Sequence, residues 1–421
     1  MSGPLSGIKV LEFTEIVAGP FSGALLTDMG ADTIKVEPPW GEPSRGTQPI
    51  MPFESRGYVS LNRGKRSLPL DLNKPQAREI VYQLVPQMDV VIINYRPDVP
   101  ANLGIDYETL STINPRLIYC QNTAFGTKGP HAKRPGSDIV TQAMTGLMVG
   151  NRNIRDGVPQ LINPALADYA TGITMAWGIS AALYHREKTG RGQKIEASLL
   201  ATALAIQSGR FMQIASVDAE LREKFLSDLE QYRAESRSFE EVDQLYLQFR
   251  PRQAGNIYYR TYETRNGLIT VGCLSNPPRK RMAELLGLRD IRFEEGYDAR
   301  TPESRAFGEQ LALKAAELMK EKTTEEWLEI FDRAGVPVSP VYYTEELVEH
   351  EQVAANENVV ALEHSMLGPL TMYGPTLKMS ETPLRAQRAA PALGEHTDDI
   401  LSGLGYTAEQ IEALRRDEVT R

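Results

Sequence analysis

Residues 8–13, 33–36, 90–94 and 117–121 are short runs of β-branched and other apolar residues, and between them residues 19–29 and 75–88 carry apolar side chains at helical spacing. No other feature constrains the fold so strongly. Strands that are apolar throughout, rather than on alternate residues, must be buried on both faces. That is the condition of a parallel sheet covered by its crossover helices. In the second helix Ile80, Val81, Leu84 and Val85 mark the stripe that would face such a sheet. The expected fold class is α/β, with a Rossmann-like parallel sheet forming a large domain.

A chain of 421 residues exceeds one ordinary core. The expected large domain runs over 1–216. Residues 217–252 are charged, poor in apolar side chains and helical in pattern, and read as a connector. A small α/β domain over 253–340 follows. Its cues are strand-like runs at 258–263 and 268–273 around Arg265-Asn266-Gly267, where Asn and Gly suit a tight hairpin. A helix over 310–320 and another opened by Thr323 with Glu326 three residues on, a capping-box spacing, end at Gly335. Residues 341–421 then read as a return linker and the C-terminal part of the large domain.

Several function classes are disfavoured. The formal net charge of −9 argues against nucleic acid as the main partner, because phosphate backbones need clustered, uncompensated Lys and Arg. No stretch approaches the roughly 20 apolar residues of a membrane helix, and the start lacks a basic and apolar leader, so no export and no membrane are expected. Cys120 and Cys273 lie far apart and outside any C-x-x-C pair, which fits a reducing cytoplasm better than a disulfide or zinc framework. His131, His185, His350, His364 and His396 show no metal-ligand spacing, and no metal is expected. The motifs of P-loop NTPases, dinucleotide binders, zincins and serine hydrolases are missing from the sequence.

Carboxylates remain. Asp168 sits where the loop Asn163-Pro164-Ala165-Leu166-Ala167 meets a helix rich in small residues that closes at Gly190. Asp is a favoured N-cap residue, and a helix N-terminus also favours an ionised carboxylate, a competent nucleophile towards an activated carbonyl in a dry site. Both readings stand, and they are compatible. The basic cluster Arg63, Lys65 and Arg66 suits either a diphosphate or solvated surface. The basic, Gly- and Pro-rich loop from Lys128 to Asp138 suits either a pocket mouth or an ordinary exposed loop.

Taken in order and spacing, several segments resemble family III CoA-transferases of the CaiB/BaiF type, a group that includes formyl-CoA and carnitine CoA-transferases. They are Leu5-Ser-Gly-Ile-Lys-Val-Leu-Glu-Phe, Ala18-Gly-Pro, Leu26-Thr-Asp-Met-Gly-Ala-Asp-Thr-Ile-Lys-Val-Glu-Pro-Pro and Lys65-Arg-Ser-Leu-Pro-Leu-Asp-Leu. Asn94-Tyr-Arg-Pro, His185-Arg-Glu-Lys-Thr-Gly-Arg-Gly-Gln-Lys-Ile, Gly335-Val-Pro-Val and Leu393-Gly-Glu-His-Thr-Asp continue the pattern across nearly the whole chain.

The resemblance implies transfer of coenzyme A from an acyl-CoA to a carboxylic acid, with Asp168 as nucleophile and aspartyl anhydride and aspartyl-CoA thioester intermediates. It implies coenzyme A contacts at Val17, Ala18, Leu70, Leu72, Lys74, Asn94, Tyr95, Arg96, Leu103 and Ser137. It further implies acyl-CoA as substrate with no permanently bound cofactor, and an interlocked, ring-shaped homodimer. Val17 stands where formyl-CoA transferase has glutamine, and the glycine-run flap is not reproduced; the resemblance puts Arg252-Gln-Ala-Gly-Asn256 near its place. Both departures point away from formate or oxalate and towards a larger or more apolar acid. The alternatives are a 2-methylacyl-CoA racemase, whose histidine is replaced in Gly136-Ser137-Asp138, and a non-catalytic CoA-binding subunit of a hetero-oligomeric transferase.

Overall fold

The computed structural model describes residues 3–250, 255–298 and 301–421, grouped into two compact units, Met1–Val217 with Glu351–Arg421, and Asp218–His350. Part of the segment expected near the place of the glycine flap, residues 252–254, lies outside the described residues.

In the first unit, β1 (Lys9–Phe13), β2 (Asp32–Glu37), β3 (Arg66–Pro69), β4 (Val90–Ile93), β5 (Ile118–Thr123) and β6 (Gln193–Ser198) form a six-stranded sheet in the order β6-β5-β4-β1-β2-β3. Every neighbouring pair is parallel. The central strands are sealed on both faces: Val10, Leu11, Phe13 and Val90 to Ile93 are all 0% exposed. That explains the unbroken apolar runs. The spatial order is the 3-2-1-4-5-6 of doubly wound nucleotide-binding sheets, and its direction reverses between β1 and β4, where such sheets bind ligands beyond the strands' carboxyl ends.

Helix α1 (Ala18–Asp28) links β1 to β2, and α2 (Pro75–Leu84) buries Ala77, Ile80, Val81 and Leu84 in the core. Beyond β5 come α3 (Asp138–Met144) and the long α4 (Leu166–Thr189), which precedes β6 and α5 (Leu199–Ala205).

The charged stretch forms α6 (Ala215–Ala234) and α7 (Phe239–Phe249), clasped by Phe225 stacked on Phe249 at 4.6 Å and by Tyr246. In the second unit β7 (Tyr259–Glu263) and β8 (Leu268–Gly272) form the expected hairpin, and β9 (Val338–Pro340) pairs with β8. The turn works differently from the expectation, since neither Asn266 nor Gly267 adopts a positive φ. The Asn266 side chain instead accepts from the Thr324 N–H at 2.8 Å, joining the hairpin to α8 (Thr324–Arg333). The Thr323–Glu326 capping box is present at the start of α8.

The chain then re-enters the first unit as the hairpin β10 (Val359–His364) and β11 (Gly368–Tyr373), followed by α9 (Thr397–Gly403) and α10 (Ala408–Arg416). Ile400, Leu401, Ile411 and Val419 join the core that β1 and β4 began.

Candidate active site

The switch point is built by residues 14–18. Lys35, fully buried in β2, donates to the Thr14 carbonyl at 2.7 Å. The Asn94 amide, just beyond β4, accepts from the Glu15 N–H at 3.0 Å and donates to the Glu15 carbonyl at 2.7 Å. Ile16 takes a left-handed φ of 69°. Val17 is the N-cap of α1, and no side chain caps that helix. The first N–H groups of α1 are thus left for an anion or a polarised oxygen.

Helix α4 lies against this turn. A Cβ on Gly172 would meet the Ala18 carbonyl oxygen at 2.8 Å, so the glycine permits the close approach of the two helices. Ala18 and Ala167 share a small buried cluster with Leu199 and Ala203, which brings the start of α4, and with it Asp168, to the turn after β1.

Asp168 is not the N-cap. The helix starts earlier, with Ala165 at the cap and Asp168 third in the first turn. The capping carboxylate comes from Asp138 in α3, which accepts from the N–H groups of Ala167 at 2.9 Å and Asp168 at 3.2 Å. Gln142 holds Asp138 in place by donating to its other oxygen. It also pins the loop before α4 through both the Ile162 carbonyl at 3.0 Å and the Ile162 N–H at 2.7 Å.

The Asp168 side chain itself is half-buried. Burial, and secondly the Asp138 charge, push it up to about 7 from an ordinary aspartate value. Among the described residues no cation or hydrogen-bond donor offsets this. Such a carboxylate is poorly solvated when ionised, which suits attack on an acyl carbon.

The other expected contact residues divide. Val17, Ala18 and Asn94 meet at the switch point, but both ends of the Asn94 amide are occupied by Glu15. Tyr95 and Leu103 lie partly buried against the first core. Burial, with Glu15 nearby, keeps the Tyr95 phenol protonated. Arg96 is half-exposed and pairs with Asp98 at 3.1 Å. Leu70 and Leu72 point into the core, and the Leu70 N–H donates to the Glu37 carbonyl at 2.8 Å. Lys74 donates to the Asp417 carbonyl, and Asp71 donates its N–H to Val419 at 2.9 Å. Beside this loop a cavity of about 560 Å³ is lined by Trp40, Phe53, Asp71 and Arg421. Ser137 is the exposed N-cap of α3, with no capping bond from its side chain.

Two of the three cations in the basic cluster fit neither of its two readings. Arg63 and Lys65 are 1% and 0% exposed, held by Asp28 and Glu12, while Arg66 pairs with Asp32. These cations are structural. Sequence reasoning missed the roles of Asp138 and Gln142. The first lay within the Gly-Ser-Asp triplet, but its partner helix is 30 residues away, and no local pattern announces a cap supplied at that separation.

The family description "CoA-transferase family III" matches residues 5–397 of this chain. The chain is 30% identical to the succinyl-CoA:glutarate CoA-transferase of Homo sapiens, over 99% of this chain and 87% of that protein. It is 32% identical to the succinate–glutarate CoA-transferase of Agrobacterium fabrum, over 95% of this chain and 96% of that protein. Among solved structures, a CAIB/BAIF family protein from Brucella suis superposes with a TM-score of 0.72 at 29% identity, covering 96% of this chain and 100% of that one.

Proposed function

The chain belongs to CoA-transferase family III, the enzymes that exchange coenzyme A between acyl-CoAs and carboxylates, and on that premise we propose that Asp168 carries the exchange as a covalent nucleophile. The observation that carries the reading is the setting of its carboxylate: half-buried in the first turn of α4, where Asp138 caps the N–H groups, on the stretch of that helix that packs against the start of α1. An Asp168 oxygen attacks the thioester carbonyl, the C–S bond breaks, and coenzyme A leaves as thiolate from a mixed anhydride. The thiolate attacks the aspartyl carbonyl and frees the donor carboxylate. The acceptor carboxylate then attacks the aspartyl thioester, giving a second anhydride and the thiolate again. That thiolate attacks the acceptor's acyl carbon, giving the new acyl-CoA and restoring the Asp168 carboxylate. Each step trades one activated acyl group for another, so nothing drives the sequence but positioning and exclusion of water.

The acyl-CoA is a substrate in this scheme, lying across the turn at Val17 and Ala18, the backbone at 94–96 and the loop at 70–74, with Leu103 and Ser137 at its margins. Succinyl-CoA with glutarate is the first pair to assay, since relatives at 30% and 32% identity carry those names. Two free, buried cysteines suit work in a reducing compartment. A homodimer would cover Ile173, Trp177 and Tyr184, which stand 56%, 73% and 64% exposed on α4.

The test is to incubate the protein with acyl-CoAs, trap with hydroxylamine and search Asp168 for an adduct by mass spectrometry. Modified Asp168, together with loss of exchange in Asp168→Asn by about a thousandfold or more, is the expected outcome. Deuterium exchange at the α-carbon without any acceptor acid would instead favour a racemase, and bound coenzyme A without adduct or exchange a non-catalytic subunit.

A further inference from the structure

Glu42 lies in the loop after β2 and is 3% exposed. One of its carboxylate oxygens accepts from the Ile16 N–H at 3.0 Å and from the Ser44 N–H at 3.2 Å. The other faces Lys35 at 3.4 Å. Its own N–H donates to Glu37 at 3.2 Å. The residue is therefore held from several sides and holds Ile16 in turn.

Ile16 is where such a hold is needed. Its φ of 69° is left-handed, and a β-branched side chain there is disfavoured by about 1–2 kcal/mol. Its side chain is 43% exposed, so core packing does not enforce the conformation. The neighbours are clamped by other elements: the Thr14 carbonyl by Lys35, and both backbone polar groups of Glu15 by Asn94. Gly19 completes the corner, because a Cβ there would meet the Thr14 side chain at 2.4 Å. Without Glu42 the one unclamped φ along this corner is the one under strain.

We propose that Glu42 is a positioning residue for acyl transfer: by binding the Ile16 N–H it fixes the left-handed turn that sets Val17 and Ala18 opposite Asp168. The inference rests on the transferase reading, in which that turn receives the acyl-CoA.

The 421-residue chain is assayed for exchange between succinyl-CoA and glutarate, with hydrogen exchange followed across residues 13–21. Glu42→Ala is expected to lower kcat by about 10- to 100-fold, the scale of a misplacement near 1 Å, and to speed amide exchange at Ile16 and Val17. Glu42→Gln, which keeps an oxygen to accept from the Ile16 N–H, is expected to retain most of kcat. If Glu42→Ala does not fold, Ile16→Pro serves: it fixes φ near −65° and deletes the donor on an exposed residue, and the same kcat loss is expected. A folded Glu42→Ala or Ile16→Pro protein with parental kcat overturns the positioning role. A parent protein that exchanges no acyl group with any CoA thioester and acid pair overturns the transferase reading first, and the inference with it.

Discussion

Asp168 shows how much one carboxylate's surroundings decide. Burial first, and the Asp138 charge second, hold it up near 7, so the fold favours the protonated form. The associated stability is fully present below the unfolded value near 4 and is lost as pH rises through about 7. Asp168→Asn, which cannot ionise, should therefore melt above the parent, by a gap that widens between pH 5 and pH 8. Partial solvent contact reduces the expected gain to about 1–2 kcal/mol at pH 8; calorimetry showing no widening would mean that the carboxylate ionises without cost. Under the proposed mechanism Asp168 attacks in its ionised form, so kcat/KM should rise with pH through a midpoint near 7. Asp138→Asn keeps a capping oxygen but removes the charge, and should move that midpoint downward. An unchanged midpoint would assign the whole shift to burial.

At the scale of elements, α4 owes its two ends to different kinds of information. Gly190 closes it with a φ of 73°, its N–H donating to the Arg186 carbonyl at 2.8 Å. The closing glycine was legible because left-handed C-caps select glycine locally. Gly190→Ala should cost about 1 kcal/mol, measurable as a lowered denaturation midpoint with unchanged exchange activity. The opening was misread. Asp168 has the composition of an N-cap, but the helix opens three residues earlier at Ala165, and a carboxylate from α3 takes the N–H groups of its first turn. A similar substitution of cause occurs in the β7–β8 hairpin, where Asn266 serves as a tether to α8 rather than as a positive-φ turn residue.

On the scale of the whole molecule, the first unit is tied together by charges that the sequence displays as if they were surface. Arg45, 1% exposed, binds Glu37 of β2 at 2.7 and 2.8 Å, Glu54 at 3.1 Å and the Pro391 carbonyl at 3.2 Å. It thereby joins stretches 346 residues apart. Arg45→Ala would leave two buried carboxylates without their cation and should cost about 3–5 kcal/mol; a melting temperature within a degree of the parent would refute that role. By itself the sequence determined the layered α/β class, four of the six strands of the sheet and the hairpin of the second unit, and its motif order singled out Asp168 as the carboxylate to test. It could do so because apolar period, turn chemistry and motif order are properties of neighbouring residues. Only the tertiary structure decided that Arg63 and Lys65 are buried struts, that Asp138 caps the helix of Asp168, and that Glu42 holds Ile16 in a conformation its side chain disfavours. Those outcomes depend on which charge meets which donor across tens to hundreds of residues, and that pairing exists only once the chain has folded.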